Sequence, residues 1–180
     1  MALVKENITY VDGYNVINKW PQLKEAARKS LQTARDNLIE DLAEYSYLTG
    51  EKLVIVFDAY NLDRLKETVT SKYGMEIVFT KRFQTADTYI ERELTKIARR
   101  HNVKVVTDDG AVQNLALSKG AARMTALELK HDLDSLRSKI KIRQKKSFSQ
   151  NYDAYPISKA LKAKLDEIDL DIEDYKSKGK

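Results

Sequence analysis

Four aspartates carry the chemistry open to this sequence: Asp12, Asp58, Asp87 and Asp109. Three of them close short apolar runs. Asp12 follows Ile8-Thr9-Tyr10-Val11, Asp58 follows Val54-Ile55-Val56-Phe57, and Asp109 stands shortly after Val105-Val106-Thr107. Taken singly, each reads as a turn or helix-capping residue. If the runs are adjacent strands of a parallel sheet, their carboxyl ends lie about 5 Å apart and the acids converge on one crevice. Asp87 arrives by another route. On a helix capped by Thr85 each residue advances about 100°, so Leu94 and Ala98 fall within roughly 20° of Asp87, with Ile90 and Ile97 on one flank and Glu91 on the other. Asp87 therefore stands at the N-terminal end of the stripe that faces the sheet. A first-turn acid suits the helix dipole. That does not account for an inward-facing one, which is costly to bury unless paired or bound to a metal.

Carboxylates brought together repel, and a hard divalent cation relieves the repulsion. Oxygen ligands without His or Cys suit Mg²⁺ or Mn²⁺ rather than Zn²⁺. Such a cation lowers the pKa of bound water and stabilises charge on a phosphodiester under in-line attack. The expected activity is a nuclease leaving a 5′-phosphate and a 3′-hydroxyl. A small-molecule phosphatase would use the same chemistry, but basic surroundings favour a polyanion. Composition closes other routes. There is no Cys, hence no disulfide, thiolate metal site or thiol nucleophile. His101 and His131 lie apart in polar helical stretches, and the six Gly are too dispersed for a dinucleotide fingerprint or a P-loop. The longest apolar run, residues 53–57, is far short of the roughly 20 that a membrane helix needs. No secretory pattern opens the chain, so a cytoplasmic protein is expected. With 32 Lys and Arg against 27 Asp and Glu the net charge is +5, which suits an anionic partner.

The elements that must position these residues alternate. Strands are expected at residues 8–11, 53–57, 76–79 and 103–106. A helix is expected over about 26–48, stopped by Gly50, with Leu31, Ala34, Leu38, Leu42 and Tyr45 at three- and four-residue spacing. Others run from Thr85 to about residue 100 and from about 111 to Gly120, and Thr125-Ala126-Leu127-Glu128 opens a further one with a capping box. Strands alternating with helices mean βαβ units, so the fold class is α/β, an open, mainly parallel sheet with helices on both faces. Near residue 138 the pattern changes to a basic run, then a short amphipathic segment over 157–165, then an acidic stretch from Asp166 to Asp174. The expected division is a domain over 1–138 and a C-terminal extension over 139–180, basic then acidic.

Val11-Asp12-Gly13-Tyr14-Asn15-Val16-Ile17, Val56-Phe57-Asp58-Ala59, Thr85-Ala86-Asp87 with Ile90-Glu91, and Thr107-Asp108-Asp109 resemble, in order and spacing, the NYN domain, a PIN-like nuclease fold, and within it the bacterial YacP-like branch. The likeness covers roughly residues 7–138. It implies an endoribonuclease with Mg²⁺ or Mn²⁺ held by Asp12, Asp58, Asp87 and Asp109. The family's last aspartate stands two places beyond the Thr, which selects Asp109; Asp108 takes a place often held by a small polar residue. Asn15 would orient the first aspartate or a phosphate. The branch further implies cleavage of mRNA in association with the ribosome.

Around the acids, Lys81, Arg82 and Phe83 fall in the loop before the Asp87 helix, where they would hold phosphate and stack a base or form a solvated loop. Arg35 lies on the inner stripe of its helix, to pair with a carboxylate or a phosphate, or to snorkel. Tyr14 and Trp20 are placed either for nucleobases or for packing. Lys139, Lys141, Arg143, Lys145 and Lys146 form a run without acids, a solvated face or a dock for RNA or the ribosome. The alternative to an enzyme is a non-catalytic RNA- or ribosome-binding module on the same fold.

Overall fold

A computed structural model describes residues 5–59 and 66–153, with side chains to residue 143. Among the described residues six strands form one sheet: β1 (Asn7–Asp12), β2 (Lys52–Phe57), β3 (Thr68–Lys72), β4 (Met75–Phe79), β5 (Asn102–Val106) and β6 (Ala122–Met124). The helices are α1 (Gly13–Lys19), α2 (Pro21–Lys29), α3 (Leu31–Thr49), α4 (Ala86–Ile97), α5 (Gly110–Ser118) and α6 (Ala126–Asp153). The spatial order is β3-β4-β2-β1-β5-β6, parallel except for β3, which pairs antiparallel with β4. The chain divides into two compact units, Met1–Ser135 and Leu136–Lys180. No helix of the described residues is long and apolar enough to cross a membrane.

The sheet is covered on both sides, which is why β2 reads as an unbroken apolar run. Ile8 and Tyr10 of β1, Val54 and Val56 of β2 and Val103 and Val105 of β5 pack with Tyr89, Ile90 and Leu94 of α4 and Ala116 of α5. The alternating set, Val11, Leu53 and Ile55, points to the opposite face and is fully buried, as are Leu38 and Leu42 of α3. Fully burying each such side chain stabilises the fold by about 1.5–3 kcal/mol. Topology then fixes the crevice. From β1 the chain adds β2 and β4 on one side, then crosses back to add β5 and β6 on the other. The order reverses between β1 and β5, the place where open α/β sheets bind ligands beyond their strand ends.

Four elements differ from expectation. Helix α1, seven residues long and capped by Asp12, was not expected. The helix expected over 26–48 is two, α2 and α3, broken at Ser30, whose backbone is extended (φ −157°, ψ 119°) and whose hydroxyl caps Thr33 N–H at 3.2 Å. Strand β3 was not expected: it is an edge strand, mostly exposed, and shows no apolar alternation. Three-residue β6 is too short to show periodicity. Trp20 is packing, 1% exposed, with its indole N–H donating to Ala126 O at 2.7 Å.

Candidate active site

The register sets the acids side by side. Val11 of β1 stands level with Ile55 of β2 and with Val106 of β5, and Asp12 is level with Val56. The chain segments carrying Asp12, Asp58 and Asp109 thus leave the same edge of three adjacent strands. Each of these acids then opens or braces a helix. Asp12 is the N-cap of α1 and accepts from Asn15 N–H at 3.0 Å through Oδ1. Asp109 is the N-cap of α5, its Oδ1 accepting from Ala111 N–H at 2.7 Å and Val112 N–H at 3.2 Å. Asp58 reaches across to the start of α4, where Ala86 N–H donates to its Oδ1. These bonds all use Oδ1. The capping reading and the site reading are therefore the same residues seen twice: N–H groups aim one oxygen of each carboxylate and hold its position.

Asp87 has no such bond. Its Oδ1 is buried with no hydrogen-bond partner. It lies in the first turn of α4, behind the Thr85 cap. Three carboxyls are held above the ordinary carboxylate range. Burial pushes Asp12 up to about 6, with the charges of Asp87 and Asp58 adding to it and the Asn15 and Tyr14 N–H groups opposing. Burial likewise raises Asp87, helped by Asp109 and Asp58, and raises Asp58 against the Ala86 N–H. The mutual repulsion ties all four into one electrostatic cluster.

Smaller groups keep the strand ends in place. The Asn15 side-chain oxygen accepts from Asp108 N–H at 3.0 Å, tying α1 to the loop that carries Asp109. Asn15 thus donates its backbone N–H to Asp12 and, through its side chain, holds the backbone one residue before Asp109. Thr107 and Thr80, both fully buried, do the same for neighbouring loops: Thr107 Oγ1 accepts from Asp109 N–H at 3.1 Å and Thr80 Oγ1 from Ala59 N–H at 2.9 Å. Both stand directly after an apolar run, the signal in the sequence that marks Thr80 as well as Thr107. Asp108 turns away from the cluster. Its Oδ1 accepts from Ala126 N–H at 2.9 Å, at the start of α6, and its Oδ2 pairs with Lys19 at 3.4 Å.

Of the basic and aromatic candidates, Arg35 donates to the Tyr14 hydroxyl at 2.8 Å and to Gln32 at 2.6 Å, and its guanidinium stands 5.7 Å from the Phe79 ring centroid. Tyr14 packs edge-on against Phe57 with centroids 5.2 Å apart. Lys81, Arg82 and Phe83 are exposed beyond β4, at the same end of the sheet as the aspartates. Lys139, Lys141 and Arg143 are exposed on α6 in the second unit. The side chains of Lys145 and Lys146, residues 157–165 and the acidic stretch lie outside those described.

Among the described residues no three acidic or imidazole groups stand close enough, as oriented, to ligate one ion. The donor chemistry still suits a hard cation. Mg²⁺ is usually held by only one or two carboxylates and completes its shell with water and substrate phosphate. A buried carboxylate oxygen without a partner, Asp87 Oδ1, is the kind of group such a cation satisfies.

The profile of the YacP-like NYN domain matches residues 9–169 of the chain. A protein of Bacillus subtilis (strain 168) described as uncharacterized protein YacP is 37% identical over 147 residues, covering 80% of this chain and 85% of that protein. The crystal structure of Rae1 (YacP) from B. subtilis superposes with a TM-score of 0.64 at 34% identity, covering 96% of this chain and 95% of that one. A tryptophan-to-leucine mutant of the same protein gives 0.66 at 32% identity, over 90% and 99%.

Proposed function

The chain belongs to the YacP-like NYN family, and from that premise we propose that it is a divalent-metal-dependent endoribonuclease acting on single-stranded RNA, mRNA in a ribosome-associated setting in particular. Membership places the protein among nuclease-type, RNA-directed domains. The observation that carries the finer reading is Asp87, a half-buried residue whose Oδ1 is buried without a hydrogen-bond partner, at the crevice where three further carboxylates are aimed by helix N-termini.

A divalent cation bound there would supply an activated water and charge neutralisation at the phosphate. The chain's residues do the rest. Asp12, Asp58, Asp87 and Asp109 would hold the cation, directly or through water. Asn15 keeps the Asp12 and Asp109 segments in register. The N-termini of α4 and α5 favour the ionised form of the carboxylates they hold, Asp58 and Asp109. Arg35 and Lys81 bind backbone phosphates on the β4 side.

The test is an RNA ladder incubated with Mg²⁺ or Mn²⁺, with and without EDTA, using the unsubstituted chain and Asp87→Asn. Products with 5′-phosphates that need metal and vanish in Asp87→Asn are expected. Cleavage that survives the substitution removes Asp87 from the mechanism. The spread orientation of the acids favours a second reading, a non-catalytic RNA-binding module. RNA binding without any cleavage would establish it.

A further inference from the structure

The loop between β4 and α4 holds a conformation that the free protein does not explain. Gln84 N–H donates to Lys81 O at 3.0 Å, closing a turn over residues 81–84, and Gln84 itself is 9% exposed. Inside this anchored turn Phe83 adopts φ 63°, the left-handed region in which Gly and Asn are at home. Its ring is 93% exposed, the most exposed of the large hydrophobic side chains described. The Arg82 guanidinium lies 4.7 Å from the ring centroid. A strained backbone and a solvated apolar ring are two costs, and packing offsets neither.

Position distinguishes this aromatic from others. Tyr73 also has a positive φ (54°) and a lysine near its ring, but it forms the β3–β4 hairpin turn beside Gly74, where the turn itself demands that backbone, and it lies at the opposite edge of the sheet. Tyr47 is 87% exposed on the regular backbone of α3. Phe83 alone of the three stands beyond the carboxyl end of a parallel strand. β4 lies two strands from β1, about 10 Å in strand spacings, and the loop leads directly into the Thr85 cap and Asp87.

Resting on the endoribonuclease reading, we propose that Phe83 is a stacking platform for one unpaired base of the RNA, within a few nucleotides of the bond that is cut. Arg82 extends the π-surface or takes the adjoining phosphate. Stacking is tolerant of base identity, so the residue selects RNA that is free to splay a base and fixes its register without reading its sequence. A paired base is already stacked and cannot take the position.

The experiment uses the full chain carrying Asp87→Asn to prevent cleavage, and a fluorescently labelled single-stranded RNA of about a dozen nucleotides as probe. Phe83→Leu is expected to weaken binding about 5- to 150-fold, the range for one base–aromatic stack, and Phe83→Trp to restore it. An abasic nucleotide moved along the probe is expected to cost the Phe83 protein a similar factor at one position and to cost Phe83→Leu nothing there. Phe83→Asn is expected to lose the same affinity while its Tm holds or rises, because Asn tolerates the left-handed backbone at this position. Equal affinity of the Phe83, Leu and Trp proteins, or a lowered Tm in Phe83→Asn, overturns the platform while leaving the nuclease reading intact. That reading is scored separately by metal-dependent cleavage in the unsubstituted chain. If the unsubstituted chain neither binds nor cleaves RNA, both fall.

Discussion

At the scale of single residues, adjacent acids divide the labour. Asp108 and Asp109 are neighbours in sequence, yet Asp108 caps Ala126 and pairs with Lys19 while Asp109 caps α5 and repels Asp87. Asp108→Ala is expected to cost about 1 kcal/mol through the lost cap and leave kcat near the original value; Asp109→Asn is expected to keep the Tm and lose most of the cleavage. Thermal melts and single-turnover cleavage separate the two. The pH response has a definite sign. Asp12 has its folded pKa raised from 3.8 to about 6, so between these values the native state binds the extra proton and stability falls as pH rises. In EDTA, the Tm difference between the unsubstituted chain and Asp12→Asn should therefore move against the unsubstituted chain from about pH 4 to about pH 6. Added Mg²⁺ should shrink that movement, because a cation favours the ionised carboxylate. A difference flat across this range would contradict the burial of Asp12.

At the scale of elements, the sharp passage from β1 to α1 depends on Gly13. A Cβ there would enter the ring of Phe57, with Cζ at 2.9 Å, and Gly13 carries no positive φ, so the requirement is space and not backbone freedom. Phe57 in turn carries Tyr14 on its edge and stacks on Phe79 at 5.5 Å, beneath the Arg35 guanidinium. Gly13→Ala is expected to destabilise by about 1–3 kcal/mol and to weaken RNA binding through displaced Tyr14 and Arg35; Phe57→Leu added to it should recover part of both. Denaturant melts of the single and double variants measure the recovery. The same element shows what sequence could tell. The apolar runs ending in Asp12 and Asp58 and the inward stripe of α4 were legible, because burial on both faces leaves few polar positions and a 3.6-residue period is long enough to count. The break at Ser30 was hidden because the apolar spacing continues through it. β3 was hidden because an exposed edge needs no apolar pattern. That Asp108 belongs to α6 and not to the crevice depends on a contact 18 residues away in sequence, which no local pattern encodes.

For the molecule as a whole, the net charge of +5 matters less than where the cations stand. One group, Arg35, Lys81 and Arg82, lies at the β4 side of the crevice; another, Lys139, Lys141 and Arg143, is exposed on α6 in the second unit. A cation that neutralises an RNA phosphate releases a counterion, so each one engaged contributes about 0.7 to the slope of log K against log salt for a single strand. A cation on a merely solvated face contributes nothing to that slope. Converting Lys139, Lys141 and Arg143 together to Gln is therefore expected to flatten the slope by about 2 if α6 holds RNA, measured on one single-stranded probe between 50 and 200 mM salt. Cleavage at saturating RNA should then be unaffected, since a surface that only captures RNA no longer limits the rate once RNA is bound. An unchanged slope would assign the run to solvent, leaving the β4-side cations to carry the electrostatic attraction, and the same measurement on Lys81→Gln would then show a loss of about 0.7.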